Sequence, residues 1–117
     1  MKHLKTGKKL HRKQGPRKAL IKSLEVNLIM YEKIKTTQAK AKETQRQLEK
    51  LITIAKKQDL TALRRLAAAL PAKASRKLYS ELAPRYRTRK GGYTRIIKLT
   101  QGIRSDDSSM VILELVK

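Results

Sequence analysis

Cysteine is absent from this chain, and so are phenylalanine and tryptophan. Without cysteine there are no disulfides, thiolate zinc sites, iron–sulfur clusters or thiol nucleophile, which fits a reducing compartment. The only aromatics are four Tyr, so Leu, Ile and Ala must do the packing. No apolar run approaches the roughly 18 residues of a membrane-spanning helix. A secretory signal needs an apolar run soon after a short basic start. Residues 1–18 instead carry a basic residue every two or three positions. Acid is scarce as well: nine Asp and Glu against 30 Lys and Arg give a formal charge of +21 over 117 residues.

That length points to one domain. Leu, Ile and Val together make 28 of the 117 residues, a little above the roughly 20% floor below which a highly charged chain stays disordered. A small core is expected. The repulsion among so many cations calls for a polyanion, and nucleic acid, anionic lipid and an acidic protein are the candidates.

The charge is unevenly placed. Residues 1–22 hold Lys2, Lys5, Lys8, Lys9, Arg12, Lys13, Arg17, Lys18 and Lys22, with His3 and His11 and no acid. Residues 84–104 hold Arg85, Arg87, Arg89, Lys90, Arg95, Lys98 and Arg104, again without acid. Between them the signs mix, as on an ordinary solvated helix surface.

Residues 1–15 carry too little apolar surface to offset the entropy of ordering and are read as an extended basic arm, disordered when free and ordered on RNA. Residues 16–117 are read as one globular domain. Pro16 suits a first helical turn, and Leu20, Leu24 and Leu28, with Ile21 alongside, predict a helix over residues 17–30. Residues 31–36 lose that spacing and predict a short edge strand. Thr37 is expected to cap a second helix whose apolar face is Ala41, Leu48, Leu51, Ile52 and Ala55, with Lys56 and Lys57 at the negative end of its dipole. Asp59 caps a third, with Leu60, Leu63, Leu66, Ala67 and Leu70 as its face, stopped by Pro71. Leu78, Tyr79 and Leu82 mark a fourth, stopped before Pro84. Residues 93–100 and 110–116 predict two strands joined as an antiparallel hairpin across a turn-rich segment. The expected fold is therefore two-layer α+β in the order helix, strand, three helices, two strands, with helices packed on a small sheet.

The arm reads as a polycation for a phosphate backbone, where each neutralised phosphate releases counterions and makes binding salt-dependent. In residues 85–95 the Arg forks suit phosphate. Tyr86 and Tyr93 either stack on unpaired bases or pack in the core, and Gly91 and Gly92 let backbone approach closely. Lys35, Thr36 and Thr37, with Lys40 and Lys42, surround a helix start, a site that suits anions. His3 and His11 lack a third ligand or a nearby carboxylate, so RNA contact or solvation is favoured over metal or catalysis. Asp106 and Asp107 sit in a Ser-rich turn and read as turn chemistry. No glycine-rich phosphate loop or nucleophile elbow is present. A DNA-compacting protein lacks its heptads, helix-turn-helix or proline-tipped arm here. A membrane-active helix over residues 37–57 is interrupted by Glu43 and Glu49.

Taken in order, these residues resemble a known family. Met1-Lys2-His3, Gly7, Leu10, Arg12 and Arg17 resemble its opening. Glu32, Ile34 and Thr36-Thr37 follow, then Lys40-Ala41-Lys42-Glu43, Arg46, Glu49, Leu51-Ile52-Thr53, Ala55 and Lys56. Pro84-Arg85, Arg89, Gly91-Gly92-Tyr93-Thr94-Arg95-Ile96 and Lys98 resemble its most recognisable stretch, and Met110 with Glu114-Leu115-Val116 its ending. The family is the bacterial-type large-subunit ribosomal protein L-seventeen family. Pro16 and Tyr31 stand where it usually has His, His11 takes a small residue's place, and Ser105 replaces a usual Gly.

The resemblance implies a non-enzymatic structural constituent of the cytoplasmic large ribosomal subunit. Its implied partners are large-subunit ribosomal RNA and neighbouring ribosomal proteins, near the outer end of the nascent-chain exit tunnel. It implies no cofactor, metal, membrane or small-molecule substrate. The alignment of the family's start with Met1 leaves no targeting extension expected.

Overall fold

The computed structural model describes residues 14–99 and 110–117. All but the last two residues of the expected arm lie outside that range, as does the turn with Asp106 and Asp107. Helix α1 spans Gln14–Tyr31 and takes in those last two arm residues. Pro16 falls in its first turn, where a missing N–H leaves no helical bond unmade. Strand β1 (Lys33–Thr37) follows, then α2 (Gln38–Ala55), α3 (Leu60–Ala69) and α4 (Ala72–Lys77). A wide π turn over Leu78–Leu82 leads into the short α5 (Ala83–Arg85), and β2 (Thr94–Lys98) and β3 (Met110–Leu115) close the order.

The helical course thus runs through Pro84, where the sequence predicted a stop. The π turn directly before it explains why. Ala83 donates its N–H to the Leu78 carbonyl, five residues back, and the wider turn accommodates a proline ring that would clash in a regular α turn.

The sheet is three-stranded and antiparallel, in the order β1-β3-β2. Leu113 stands between Ile34 and Ile96, and Val111 between Thr36 and Lys98. Strand alternation turns Val111, Leu113 and Leu115 to one face, all buried. Helices α1 and α2 pack on the sheet, and α3 and α4 complete the helical layer against them. Leu28, Ile29, Leu48, Ile52, Leu66, Leu78 and Leu82 fill the space between and are fully buried. The expected α+β fold with its edge strand and final hairpin is present.

Three apolar faces differ in detail. In α1 the buried positions are Ile21, Glu25, Leu28 and Ile29, while Leu20 and Leu24 are only half-buried. In α2, Thr44 joins Ala41, Leu48, Ile52 and Ala55 in a continuous stripe, and its hydroxyl is buried with no hydrogen-bond partner. In α3 the buried side chains are Ala62 and Leu66, joined by Leu70 at the C-cap, leaving Leu60 59% and Leu63 39% exposed. That helix carries two apolar stripes, and the fold uses the one that lets Leu66 and Leu70 both reach the core.

Candidate nucleic-acid interface

Asp59 caps α3 as expected, its carboxylate accepting from the Ala62 N–H at 2.7 Å. Thr37 occupies the N-cap position of α2 with extended backbone, but its side chain makes no capping bond. The first turn of α2 contains no acid. Thr36 is buried on the helical face of β1, Lys40 is half-buried and Lys42 exposed.

Within the second basic block, residues 86–93 form a loop rooted in two tyrosines. Tyr86 and Tyr93 are buried, their ring centroids 5.2 Å apart and tilted by 50°. The Tyr86 hydroxyl donates to the Val116 carbonyl at 2.5 Å, and the Val116 N–H donates to the Tyr93 carbonyl at 2.9 Å. Both rings therefore belong to the core, one of the two readings open from the sequence, and neither face is presented to solvent for stacking.

Between them the chain folds on itself. The Arg87 N–H donates to the Pro84 carbonyl and the Arg89 N–H to the Tyr86 carbonyl. Arg89 Nε donates to the carbonyls of Gly91 and Gly92, at 3.2 and 3.1 Å. Gly92 has φ +63, the left-handed region that glycine enters without a Cβ penalty.

The arginines of this block have different duties. Arg85 donates to Glu32 Oε1 at 2.5 Å, and Lys77 stands 3.4 Å from the same carboxylate while donating to the Met30 carbonyl. This cluster sits on the turn after α1, where Glu32 itself has φ 66. The Arg85 hydrogen bond holds the Glu32 carboxyl below its ordinary range. Arg95 pairs with Glu114 across the strands at 2.5 Å. Arg87 and Lys90 are exposed and enter no ion pair among the described residues.

On the sheet's other face the side chains fall into cross-strand rows. Lys33, Glu114 and Arg95 form one cross-strand row, and Lys35, Ile112 and Ile97 the next. Lys33 and Lys35 are exposed, and Ile97 is 41% exposed. Lys98 is exposed at the end of β2. On α1, Lys18 and Lys22 are exposed and Arg17 half-buried.

The two basic blocks meet opposite ends of α1. The described chain begins at Gln14, whereas the loop is tied to Glu32, just past the last residue of the helix. Eighteen helical residues put about 27 Å between those ends. Lys2, His3, Lys5, Lys8, Lys9, His11, Arg12 and Lys13 lie outside the described residues.

Sequence reasoning assigned Lys56 only to the helix dipole. It also gave no role to Lys77 or to Lys33. The pairing of Lys77 and Arg85 with Glu32 joins residues far apart in sequence, so no local pattern could show it.

Helices on one face of a small antiparallel sheet, with a cation-rich loop held at its root, define a small basic α+β protein. Among its described residues no helix is long and apolar enough to cross a membrane. The chain belongs to the family described as Ribosomal protein L17, whose profile matches residues 20–116. It is 47% identical over 119 aligned residues to a large ribosomal subunit protein bL17 of Pelobacter propionicus, covering all of this chain and 92% of the relative. It is 45% identical to the protein of the same name from Hydrogenobaculum sp. and 43% identical to that of Thermus thermophilus, each over 118 residues and the full length of both chains.

Proposed function

We propose that this chain is a structural constituent of the large ribosomal subunit that binds its ribosomal RNA through the basic arm and the loop of residues 85–92. The supporting observation is 45% and 43% identity over the full length to proteins named as large-subunit components, together with a loop whose Arg87 and Lys90 are exposed and enter no ion pair among the described residues. The reading assigns the chain no reaction and no cofactor. Its place is the cytoplasmic large subunit beside other ribosomal proteins, near the outer end of the nascent-chain exit tunnel, a location that rests on the family resemblance.

In this role the arm and the loop neutralise phosphates at two places, and the α1 rod sets the distance between them. Side chains cannot read the deep, narrow major groove of A-form RNA, so shape and single-stranded elements set the position.

The test is sedimentation of tagged protein from a cell lysate on a sucrose gradient. Co-migration with the large subunit through a moderate salt wash is expected. Protein left at the top of the gradient, or purified protein that prefers duplex DNA to structured ribosomal RNA at equal salt, overturns the reading.

A further inference from the structure

One face of α2 grips the chain on both sides of the loop exit. Gln45, Glu49 and Lys56 share that face, since steps of four and seven residues return to the same side of a helix. Gln45 Nε2 donates to the Thr94 carbonyl at 3.4 Å, and the Thr94 hydroxyl donates to Glu49 Oε2 at 2.6 Å. Lys56, at the C-cap of α2, reaches furthest. Its ammonium donates to the Tyr93 hydroxyl at 2.8 Å and to the Arg89 carbonyl, and lies 4.9 Å from the centroid of the Tyr93 ring.

An ammonium has three donors and no acceptor. Here two of them are spent on the loop and the charge rests against a π face, which leaves little of it for an external anion. The carbonyl it holds belongs to Arg89, whose own Nε holds Gly91 and Gly92. One contact therefore propagates to the whole tip, and Arg87 and Lys90 project from a backbone that is already shaped.

We infer that Lys56 is a positioning residue that pre-forms the loop for RNA, and that Arg87 and Lys90 are the loop's phosphate ligands. This rests on the ribosomal-RNA reading. The two roles separate by salt dependence. Each lost phosphate contact lowers the slope of log K against log salt by about 0.7–0.9, whereas loss of pre-organisation weakens binding at every salt concentration alike.

The experiment measures binding of the full chain to large-subunit ribosomal RNA across a salt series. Lys56→Met is expected to weaken binding about three- to tenfold with an unchanged slope. Arg87→Gln with Lys90→Gln is expected to lower the slope by about 1.4–1.8. Tyr93→Phe keeps the ring and removes only the hydroxyl, and is expected to show a smaller loss, again at constant slope. A slope lowered by Lys56→Met makes Lys56 a phosphate ligand and overturns the inference, as does unchanged affinity.

A second arm needs no RNA. Amide hydrogen exchange in free Lys56→Met should be faster at Arg89, whose N–H is bonded to Tyr86, and unaltered in β3. Unchanged exchange at Arg89 sinks the positioning role even if the RNA reading fails. Wild-type protein that does not bind the RNA sinks that reading and the phosphate-ligand role of Arg87 and Lys90 with it, and leaves the shaping of the loop by Lys56 to the exchange measurement.

Discussion

Glu25 and Glu32 stand seven residues apart, one inside α1 and one just past its end, and they live in opposite electrostatic settings. Glu25 is buried on the helix face, and burial pushes its carboxyl up to about 7 despite the nearby Lys22. Glu32 is held low by Arg85 and Lys77. The same contrast separates the basic stretches at the two ends of the helix. Around Lys18 and Lys22 the cations are exposed and enter no ion pair among the described residues. Around Glu32 a carboxylate, two cations and two tyrosine rings tie the loop to the core. Acid-free sequence therefore does not mean one physical state. Lys18 and Lys22 offer their charge to an outside partner, and the loop stretch uses part of its own to hold its shape.

The largest effect that would break this contrast is loss of the loop root. Tyr86→Ala removes a buried ring and its bond to Val116 and should cost about 3–4 kcal/mol in denaturant unfolding. Lys18→Ala with Lys22→Ala should stay within about 0.5 kcal/mol per site. Equal losses would show that the helix surface is as structural as the loop.

Next comes Glu25. Its folded pKa lies above the unfolded value, so the folded state binds the extra proton between pH 4.5 and 7. Stability therefore falls as pH rises through that window and is fully penalised above it. Glu25→Gln should stabilise the protein by about 2–3 kcal/mol at pH 8 and by little at pH 4, as read by thermal unfolding at both pH values. A gain of equal size at pH 4 would assign the effect to packing.

The smallest is Glu32→Gln. Its carboxyl pKa is depressed, so its contribution is present above the unfolded value and lost as pH falls through the folded one. The pair is part-exposed, and the cost should be about 1 kcal/mol at pH 7, shrinking in acid. A cost that persists in strong acid would assign it to the left-handed backbone at this residue.

Much of the fold was legible because local chemistry and tertiary demand agreed. Asp59 before an apolar helix, β-branched runs around a turn-rich segment, and mixed charge beside Ile34 each had one good solution. The misreadings arose where two solutions competed. Helix α1 offered a leucine ladder and an overlapping stripe through Ile21, Leu28 and Ile29, and the sheet took the second with Glu25 inside it. Helix α3 offered two faces for one partner surface. Pro84 ends a regular helix but not one that has just passed through a π turn. Of the candidate site, residue types and segments were visible in the sequence. Which cations are already spoken for was not, since Glu32–Arg85, Lys56–Arg89 and Arg95–Glu114 all join distant segments.

The sheet order carries a consequence for how the molecule is made. Strand β3 is the centre of the sheet and the last of its strands in chain order, and among the described residues β1 and β2 pair only with it. Neither flanking strand has a neighbour until residues 110–115 have been synthesised. The helices from α1 to α4 rest largely on contacts between successive elements and can collapse first, whereas the sheet forms in a single late step that joins residue 33 to residue 114. A chain cut before Met110 would lose the central strand and with it every strand pairing among the described residues. Synthesis of residues 110–115 is thus the gate to the sheet, and those residues are the ones that lock it.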